Sequence, residues 1–343
     1  MLNCKITKRL LFAKNKGYLD DSHFEACALG FNETSCFDML SIKKLTICNP
    51  EKSVINKAIR NNHLTFVDFN GFKINKTKSF DKTFVNITKS RKESFFNIAA
   101  AFFLTKINGI IIITGDKELG VDFYLKKIKS FINLNIISKS NGKITLFKKP
   151  NFIPKEIKIW KNFGKFQKIN ANFFTLPGCF SEKEIDDGSR LLSSQFSNKL
   201  YGKVADLGAG WGYLSAKALE SNKNIKEISL VESNLNALNC SRKNISNFKA
   251  KFFWADIEIE DLKLENYDHV IMNPPFHKGK KFVHSLVTIF LNTAKKILVK
   301  NGTLWMVHKK ELKYECVIND MFQNFEYIYI NKGYRIIKAI KSY

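Results

Sequence analysis

The sequence predicts an α/β protein of two domains, each a mainly parallel sheet with helices on both faces, the second closing in an antiparallel hairpin at one edge. Three observations predict it. Beyond residue 200, short apolar runs rich in β-branched residues alternate with segments of helical period, the pattern of a doubly wound sheet. A looser alternation of the same kind precedes residue 150. The chain's 343 residues, 45% of them hydrophobic, can fill two cores at about 150 residues per domain.

In the first half, residues 94–104 read as a helix and 109–114 as a buried strand, since four isoleucines run together there. Residues 121–131 follow as a helix and 143–147 as a strand. The loop between strand and helix, Gly115 to Gly120, has the glycine spacing of a phosphate-binding loop. Val121 and Asp122 stand where that loop needs Lys and Ser or Thr, so it reads as a plain strand-to-helix turn. Three of the six prolines, Pro150, Pro154 and Pro177, cluster at a seam. They divide the chain into 1–150, a connecting segment 151–200, and 201–343.

In the last segment 203–206 reads as a strand, Tyr213–Ser221 as a helix, 227–231 as a strand and Leu235–Asn244 as a helix. Strands at Ala250–Trp254 and 268–272, a helix over 285–296 and a strand at 303–307 continue the alternation. Strands at 327–330 and 335–340, joined through Asn331-Lys332-Gly333, form the closing hairpin and complete a seven-stranded sheet.

Composition excludes several classes. The seven cysteines (Cys4, Cys27, Cys36, Cys48, Cys179, Cys240, Cys316) are scattered and have no metal-site spacing, so a reduced, metal-free, cytoplasmic protein is expected. Neither the short apolar run after Arg9 nor the one from Ile98 to Leu104 reaches the length of a signal peptide or a membrane span. Lys and Arg number 56 against 31 Asp and Glu, a net charge of +25. Residues 1–150 carry +14 of it, 151–200 carry +3 and 201–343 carry +8. A polyanionic partner fits this excess. So does an A+T-rich genome, because Lys far outnumbers the six arginines and Asn, Ile and Phe are also abundant.

The chemistry lies in the last segment. Val204-Ala205-Asp206-Leu207-Gly208-Ala209-Gly210-Trp211-Gly212 is a strand ending near an acid, then alternate glycines, then a helix. Such glycines let the backbone fold tightly under a ligand, and the helix start offers unpaired N–H groups. Glu232 ends the next strand, where a carboxylate can accept both hydroxyl protons of a ribose. The arrangement fits dinucleotide dehydrogenases as well as S-adenosylmethionine enzymes, although Gly-x-Gly-x-Gly after Asp resembles the methyltransferase form. Asp256, just past the third strand, can read an adenine amino group or cap the following turn.

Asn273-Pro274-Pro275-Phe276 follows the fourth strand. Its prolines restrict the chain, so Asn273 and the Pro274 carbonyl form a rigid pair of acceptors for both protons of a planar amine. Phe276 offers a face for the base, and base–aromatic stacking is worth about 1–3 kcal/mol. A delocalised amine is a poor nucleophile. Two acceptors that hold its protons favour rehybridisation and aim the lone pair at a methyl donor, so positioning carries the reaction and no metal is needed.

Taken together, residues 206–212, Glu232, Asp256 and 273–276 resemble class I S-adenosylmethionine-dependent methyltransferases acting on exocyclic or amide nitrogen. Two longer strings narrow the resemblance: Asn273-Pro274-Pro275-Phe276-His277-Lys278-Gly279, and Leu176-Pro177-Gly178-Cys179-Phe180-Ser181 with Asp187-Gly188-Ser189-Arg190-Leu191-Leu192. Both are similar to the bacterial ribosomal RNA small-subunit methyltransferase C family, which methylates the exocyclic N2 of a guanine in small-subunit (16S) rRNA. The resemblance covers most of the chain beyond about residue 80.

The resemblance implies two Rossmann-like methyltransferase-type domains, the N-terminal one degenerate and retained to bind RNA, the C-terminal one catalytic. It implies that Asp206, Gly208, Ala209, Gly210 and Gly212 cradle S-adenosylmethionine, with Glu232 and Ser233 at its ribose, Asp256 and Ile257 at its adenine, and Asn273 beside it. Asn273 and Pro274 would hold the guanine amine and Phe276 would stack on the ring, these three being the catalytic residues. Pro275, His277, Phe180 and Ser189 would complete the substrate pocket, the last two closing it from the connecting segment. Trp211 stands where the family more often has Ala, which would narrow the methionine end. The implied partner is small-subunit rRNA or the assembling subunit, met by a monomer with no metal and no membrane.

Other readings remain at this level. The Asn-Pro-Pro-aromatic motif also serves protein glutamine and adenine N6 methylation. A non-catalytic RNA-binding assembly factor could keep the fold as a scaffold.

Overall fold

A computed structural model describes residues 4–342 apart from 20–23, 41, 43, 67–79, 171, 276, 279–280, 283, 313, 323 and 332. The chain divides into two units, Met1–Phe166 with Leu176–Gly178, and Gln167–Thr175 with Cys179–Tyr343.

The first unit holds strands β1 (Glu25–Leu29), β2 (Lys44–Cys48), β3 (Leu64–Phe66), β4 (Phe80–Asn86), β5 (Thr105–Asp116), β6 (Asn135–Lys139) and β7 (Gly142–Lys148). They lie in the order β3-β2-β1-β4-β5-β7-β6, with β7 antiparallel to both β5 and β6. Helices α1 (Lys5–Asn15), α2 (Ser35–Asp38), α3 (Lys52–Arg60), α4 (Arg91–Leu104), α5 (Val121–Lys129) and α6 (Lys155–Lys161) complete it. The isoleucine run of β5 is apolar on both faces because both faces are covered: Ile111 and Ile113 join the core around α4, and Ile112 joins the core around α1. Ser90 starts α4 by accepting the Glu93 N–H at 3.2 Å. Arg9 of α1 is fully buried and answered, donating to Thr114 Oγ1 at 2.8 Å and to the Asp116 carboxylate at 2.7 Å.

The second unit begins with the short strands β8 (Gln167–Ile169) and β9 (Phe173–Thr175) and helix α7 (Asp187–Gln195). Its sheet is built from β10 (Gly202–Leu207), β11 (Ile225–Glu232), β12 (Ala250–Trp254), β13 (Tyr267–Met272), β16 (Leu298–Lys309), β17 (Asn324–Ile330) and β18 (Tyr334–Ile340). Between them run α8 (Tyr213–Ser221), α9 (Leu235–Asn244), the two-residue strands β14 (His277–Lys278) and β15 (Lys281–Phe282), α10 (His284–Ile297) and α11 (Glu315–Phe322). The order is β12-β11-β10-β13-β16-β18-β17, position for position that of the first unit. The expected seven-stranded sheet with an antiparallel edge hairpin is present. Helices α1 to α3, α6, α7 and α11, strands β1 to β4 and β6, and the short strands β8, β9, β14 and β15 had no counterpart in the sequence reading.

The shared topology also shows which residues of the first unit correspond to the site residues of the second. Gly115–Gly120 spans the end of the fifth strand and the turn after it, so it is not the counterpart of the loop at 206–212, which lies at the end of the third-placed strand β10. Strand register supplies the true counterparts. Leu29 pairs with Cys48 and Val85, as Leu207 pairs with Val231 and Met272. Gly30 thus matches Gly208, Asn49 matches Glu232 and Asn86 matches Asn273. Gly30 keeps the positive φ of Gly208, +75° against +73°. Asn49 accepts the N–H of Glu51 at 2.8 Å, as Glu232 accepts that of Asn234 at 2.8 Å. The acids are gone, however: Ala28 stands at the position of Asp206, and buried Phe31 at that of Ala209.

Candidate active site

The site forms at the C-terminal ends of β10, β11 and β13, where a doubly wound sheet leaves its crevice. Phe180, Ser181, Asp186, Ser189, Gly208, Ala209, Gly210, Trp211, Tyr213, Leu214 and Asn273 surround one opening. The segment from Phe180 to Ser189 and the glycine loop therefore meet at this opening. Of the residues singled out from sequence, Phe180, Ser189, Gly208, Ala209, Gly210 and Asn273 line this opening directly.

Asp206 is fully buried at the end of β10 and accepts from Ser215 Oγ of α8 at 2.6 Å. Its other oxygen has no hydrogen-bond partner among the described residues. Burial, reinforced by the charge of Glu232 and opposed by the Ser215 hydrogen bond, raises its pKa to about 7. Gly208, Gly210 and Gly212 all take positive φ. Gly208 lies under Phe290, and a Cβ there would stand 3.2 Å from that ring and 3.9 Å from Pro275 Cδ. A Cβ at Gly210 would meet nothing within 4 Å, so this is the open wall of the loop.

Glu232 holds the glycine loop from the neighbouring strand. Its carboxylate accepts from the N–H of Gly210 at 2.8 Å and from that of Asn234 at 2.8 Å. Ser233 turns the chain here, its carbonyl accepting from Trp254 Nε1 at 2.8 Å. Ala255 N donates to the Glu232 carbonyl at 3.1 Å, which brings the start of the 255–260 turn beside that strand end. Asp256 is buried and accepts the Glu258 N–H at 2.9 Å, the turn-capping geometry left open by the sequence, and Ile257 is buried next to it.

Asn273 leaves β13 with its amide nitrogen 2.8 Å from Asp186 Oδ2 and 2.9 Å from Ser189 Oγ. Its Oδ1 receives no hydrogen bond from the described residues. Pro274 is buried and Pro275 exposed. Phe276 and the side chain of His277 lie outside the described residues; the backbone of His277 opens β14 and pairs with Phe282.

Three contributors, Asp186, Ser215 and Asn244, were not found from sequence, and a fourth, Trp211, was singled out only for its bulk. Asp186 reads as an ordinary helix cap, and it does cap α7 by accepting Ser189 N–H at 2.8 Å. Ser215 is signalled only by a hydroxyl nine residues after Asp206 on the following helix. Trp211, flagged as an unusual residue, donates its indole N–H to the Phe180 carbonyl at 3.0 Å. Its ring packs against Phe173 and Tyr213 at centroid distances of 5.3 and 5.7 Å, and those two rings also meet each other at 5.6 Å. Asn244 ties β9 to the glycine loop, donating to the carbonyls of Phe174 at 2.9 Å and Trp211 at 2.8 Å. Among the described residues no cluster of His, Cys, Asp or Glu could hold a metal, and no helix is long and apolar enough to cross a membrane.

Residues 170–338 match the family model for the methyltransferase small domain. The ribosomal RNA small subunit methyltransferase C of Buchnera aphidicola (from Acyrthosiphon pisum) is 30% identical over 260 residues, covering 73% of this chain and 74% of its own length. The protein of the same name from Psychromonas ingrahamii is 25% identical over 343 residues, covering 97% of this chain and 92% of its own. Among solved structures, a T. thermophilus 16S rRNA N2 methyltransferase in complex with AdoMet and guanosine shares the fold. Its TM-score is 0.77 at 19% identity, over 94% of this chain and 89% of that one. With these relatives matched across both halves, the chain belongs to the ribosomal RNA small subunit methyltransferase C family.

Proposed function

We propose that this protein is an S-adenosylmethionine-dependent methyltransferase that modifies the exocyclic N2 amine of a guanine in 16S ribosomal RNA. The observation that carries the reading is the fixed Asn273 amide, whose donor end is held by Asp186 and Ser189 beside the glycine loop. The relatives' name supplies the substrate class.

The residues present fit S-adenosylmethionine. A buried carboxyl with one unanswered oxygen, at Asp206, suits a ligand that brings positive charge and hydrogen-bond donors. The open wall at Gly210 leaves room for it. When bound, S-adenosylmethionine supplies an electrophilic methyl group on a positively charged sulfur. Gly208, Ala209, Gly210 and Gly212 form its cradle. Glu232 faces its ribose hydroxyls, with Ser233 at the turn, and Asp256 and Ile257 border its base.

Asn273 Oδ1 and the Pro274 carbonyl accept the two protons of the guanine amine, which localises the nitrogen lone pair and aims it. Pro275, Phe276 and His277 border the base. Phe180, held through its carbonyl by Trp211, and Ser189 close the pocket over it. Excluding water there strengthens the hydrogen bonds that orient the amine.

The +25 charge suits an RNA partner, as free rRNA or assembling subunit, for a monomer acting in the cytoplasm. Most of the excess lies in residues 1–150, where the site's acids are missing, which suits an RNA-gripping role for that half. Incubating the purified protein with methyl-labelled cofactor and 16S rRNA, then digesting to nucleosides, tests the reading. Label in N2-methylguanosine is expected; label only in N6-methyladenosine, or in protein, would overturn it.

A further inference from the structure

One carboxylate oxygen does two things at the site. Asp186 Oδ2 accepts the backbone N–H of Ser189 at 2.8 Å, which caps α7, and also the side-chain N–H of Asn273 at 2.8 Å, 87 residues further along the chain. We propose that this shared oxygen sets the orientation of the Asn273 amide, so that the site selects a substrate presenting N–H rather than a carbonyl. Asp186 is then a positioning residue for methyl transfer. The inference rests on the functional reading above and concerns how the same site recognises an amine.

A primary amide has an acceptor end and a donor end of nearly equal size. Turning it over meets little steric resistance, so its hydrogen-bond partners decide which end faces the substrate. Ser189 Oγ, 2.9 Å from Asn273 Nδ2, cannot decide it, because a hydroxyl donates or accepts with equal ease. Asp186 Oδ2 can decide it, because an ionised carboxylate only accepts.

That oxygen is itself fixed by a backbone N–H, which can only donate. Polarity therefore runs one way, from the Ser189 N–H to Asp186 Oδ2 and from Asn273 Nδ2 to the same oxygen. Asn273 Oδ1 is left as the acceptor, and it receives no hydrogen bond from the described residues. A carbonyl brought to this position would meet another oxygen. An amine would find the acceptor that its protons need.

Substitutions at Asp186 separate the two duties of the oxygen. Ser is as good a helix cap as Asp, but its oxygen sits one bond nearer the backbone and draws away from Asn273, whereas Asn keeps an oxygen at the same distance along the side chain. In assays on 16S rRNA, Asp186→Ser is expected to lower kcat by about 10–100-fold, the loss expected from a misplaced catalytic group, with helix content and cofactor Kd nearly unchanged. Asp186→Asn is expected to restore kcat to within about threefold of wild type, because the oxygen and not its charge does the positioning. Wild-type protein in the same assay keeps the two readings apart. If it does not methylate guanine, the functional reading fails. If it does, wild-type kcat in Asp186→Ser, or a folded Asp186→Asn as impaired as a cap-removing Asp186→Ala, overturns the positioning role alone.

Discussion

Asp206 and Ser215 form a buried pair in which the carboxylate accepts the hydroxyl at 2.6 Å, and the second carboxylate oxygen receives no hydrogen bond from the described residues. Burial lifts this acid to about 7, so near neutrality it is partly protonated. A cationic ligand at this end of the loop favours the ionised form, and binding then releases a proton. S-adenosylmethionine affinity is expected to rise as pH climbs towards about 7, by at most about tenfold per unit, and to level off above it. Asp206→Asn should bind more weakly and without that slope. Calorimetry across the range checks it, and pH-independent binding by wild type would contradict it.

Two buried groups act on stability with opposite sign. Between its ordinary value of 3.8 and about 7, folded Asp206 keeps a proton that the unfolded chain has lost, so stability falls as pH rises through that window. His269 packs edge-on against Tyr201 at 4.5 Å and is lowered from 6.5 to about 4, chiefly by burial. The unfolded chain gains a proton there first, so stability falls as pH drops through 6.5 to about 4. His308 is lowered by burial in the same direction. In thermal melts without ligand, Asp206→Asn should make stability climb more steeply with pH across the overlap, and His269→Asn should flatten it.

The glycines of the loop should separate folding from binding. Gly210→Ala places its Cβ in open space at a φ of +55°, a strain of about 1 kcal/mol. It should therefore melt close to wild type while losing about tenfold or more in cofactor affinity, a difference of about 1.4 kcal/mol. Gly212→Ala drives its Cβ to 2.8 Å from that of Ser241 and should unfold well below both.

Asn273→Ala removes the acceptor and leaves the glycine loop and Glu232 untouched. Cofactor affinity should stay near wild type while turnover falls by about 10²–10³, as when a directed hydrogen-bond partner is deleted from an active site. Near-wild-type turnover would remove Asn273 from the mechanism.

Much of this was legible in the chain. Alternate glycines after Asp206, the acid at Glu232 and the rigid Asn-Pro-Pro turn are local signals, because each needs particular residue types at fixed spacing. The strands after residue 200 were legible because buried parallel strands are continuous apolar runs. Asp186 was not legible, since its contact with Asn273 joins residues 87 apart and its local signature is that of any helix cap. Strands β1 to β3 stayed hidden among Lys and Asn. The first unit's counterparts of the site residues, Gly30, Asn49 and Asn86, emerge only from strand register. Glycine spacing carries no information about which strand precedes it.

The most direct test of the central claim is nucleoside mass spectrometry of 16S rRNA from a strain lacking the protein, complemented with wild type or with Asn273→Ala. N2-methylguanosine should fall in the deletion, return with wild type and stay low with Asn273→Ala. An unchanged level of N2-methylguanosine in the deletion would contradict the account.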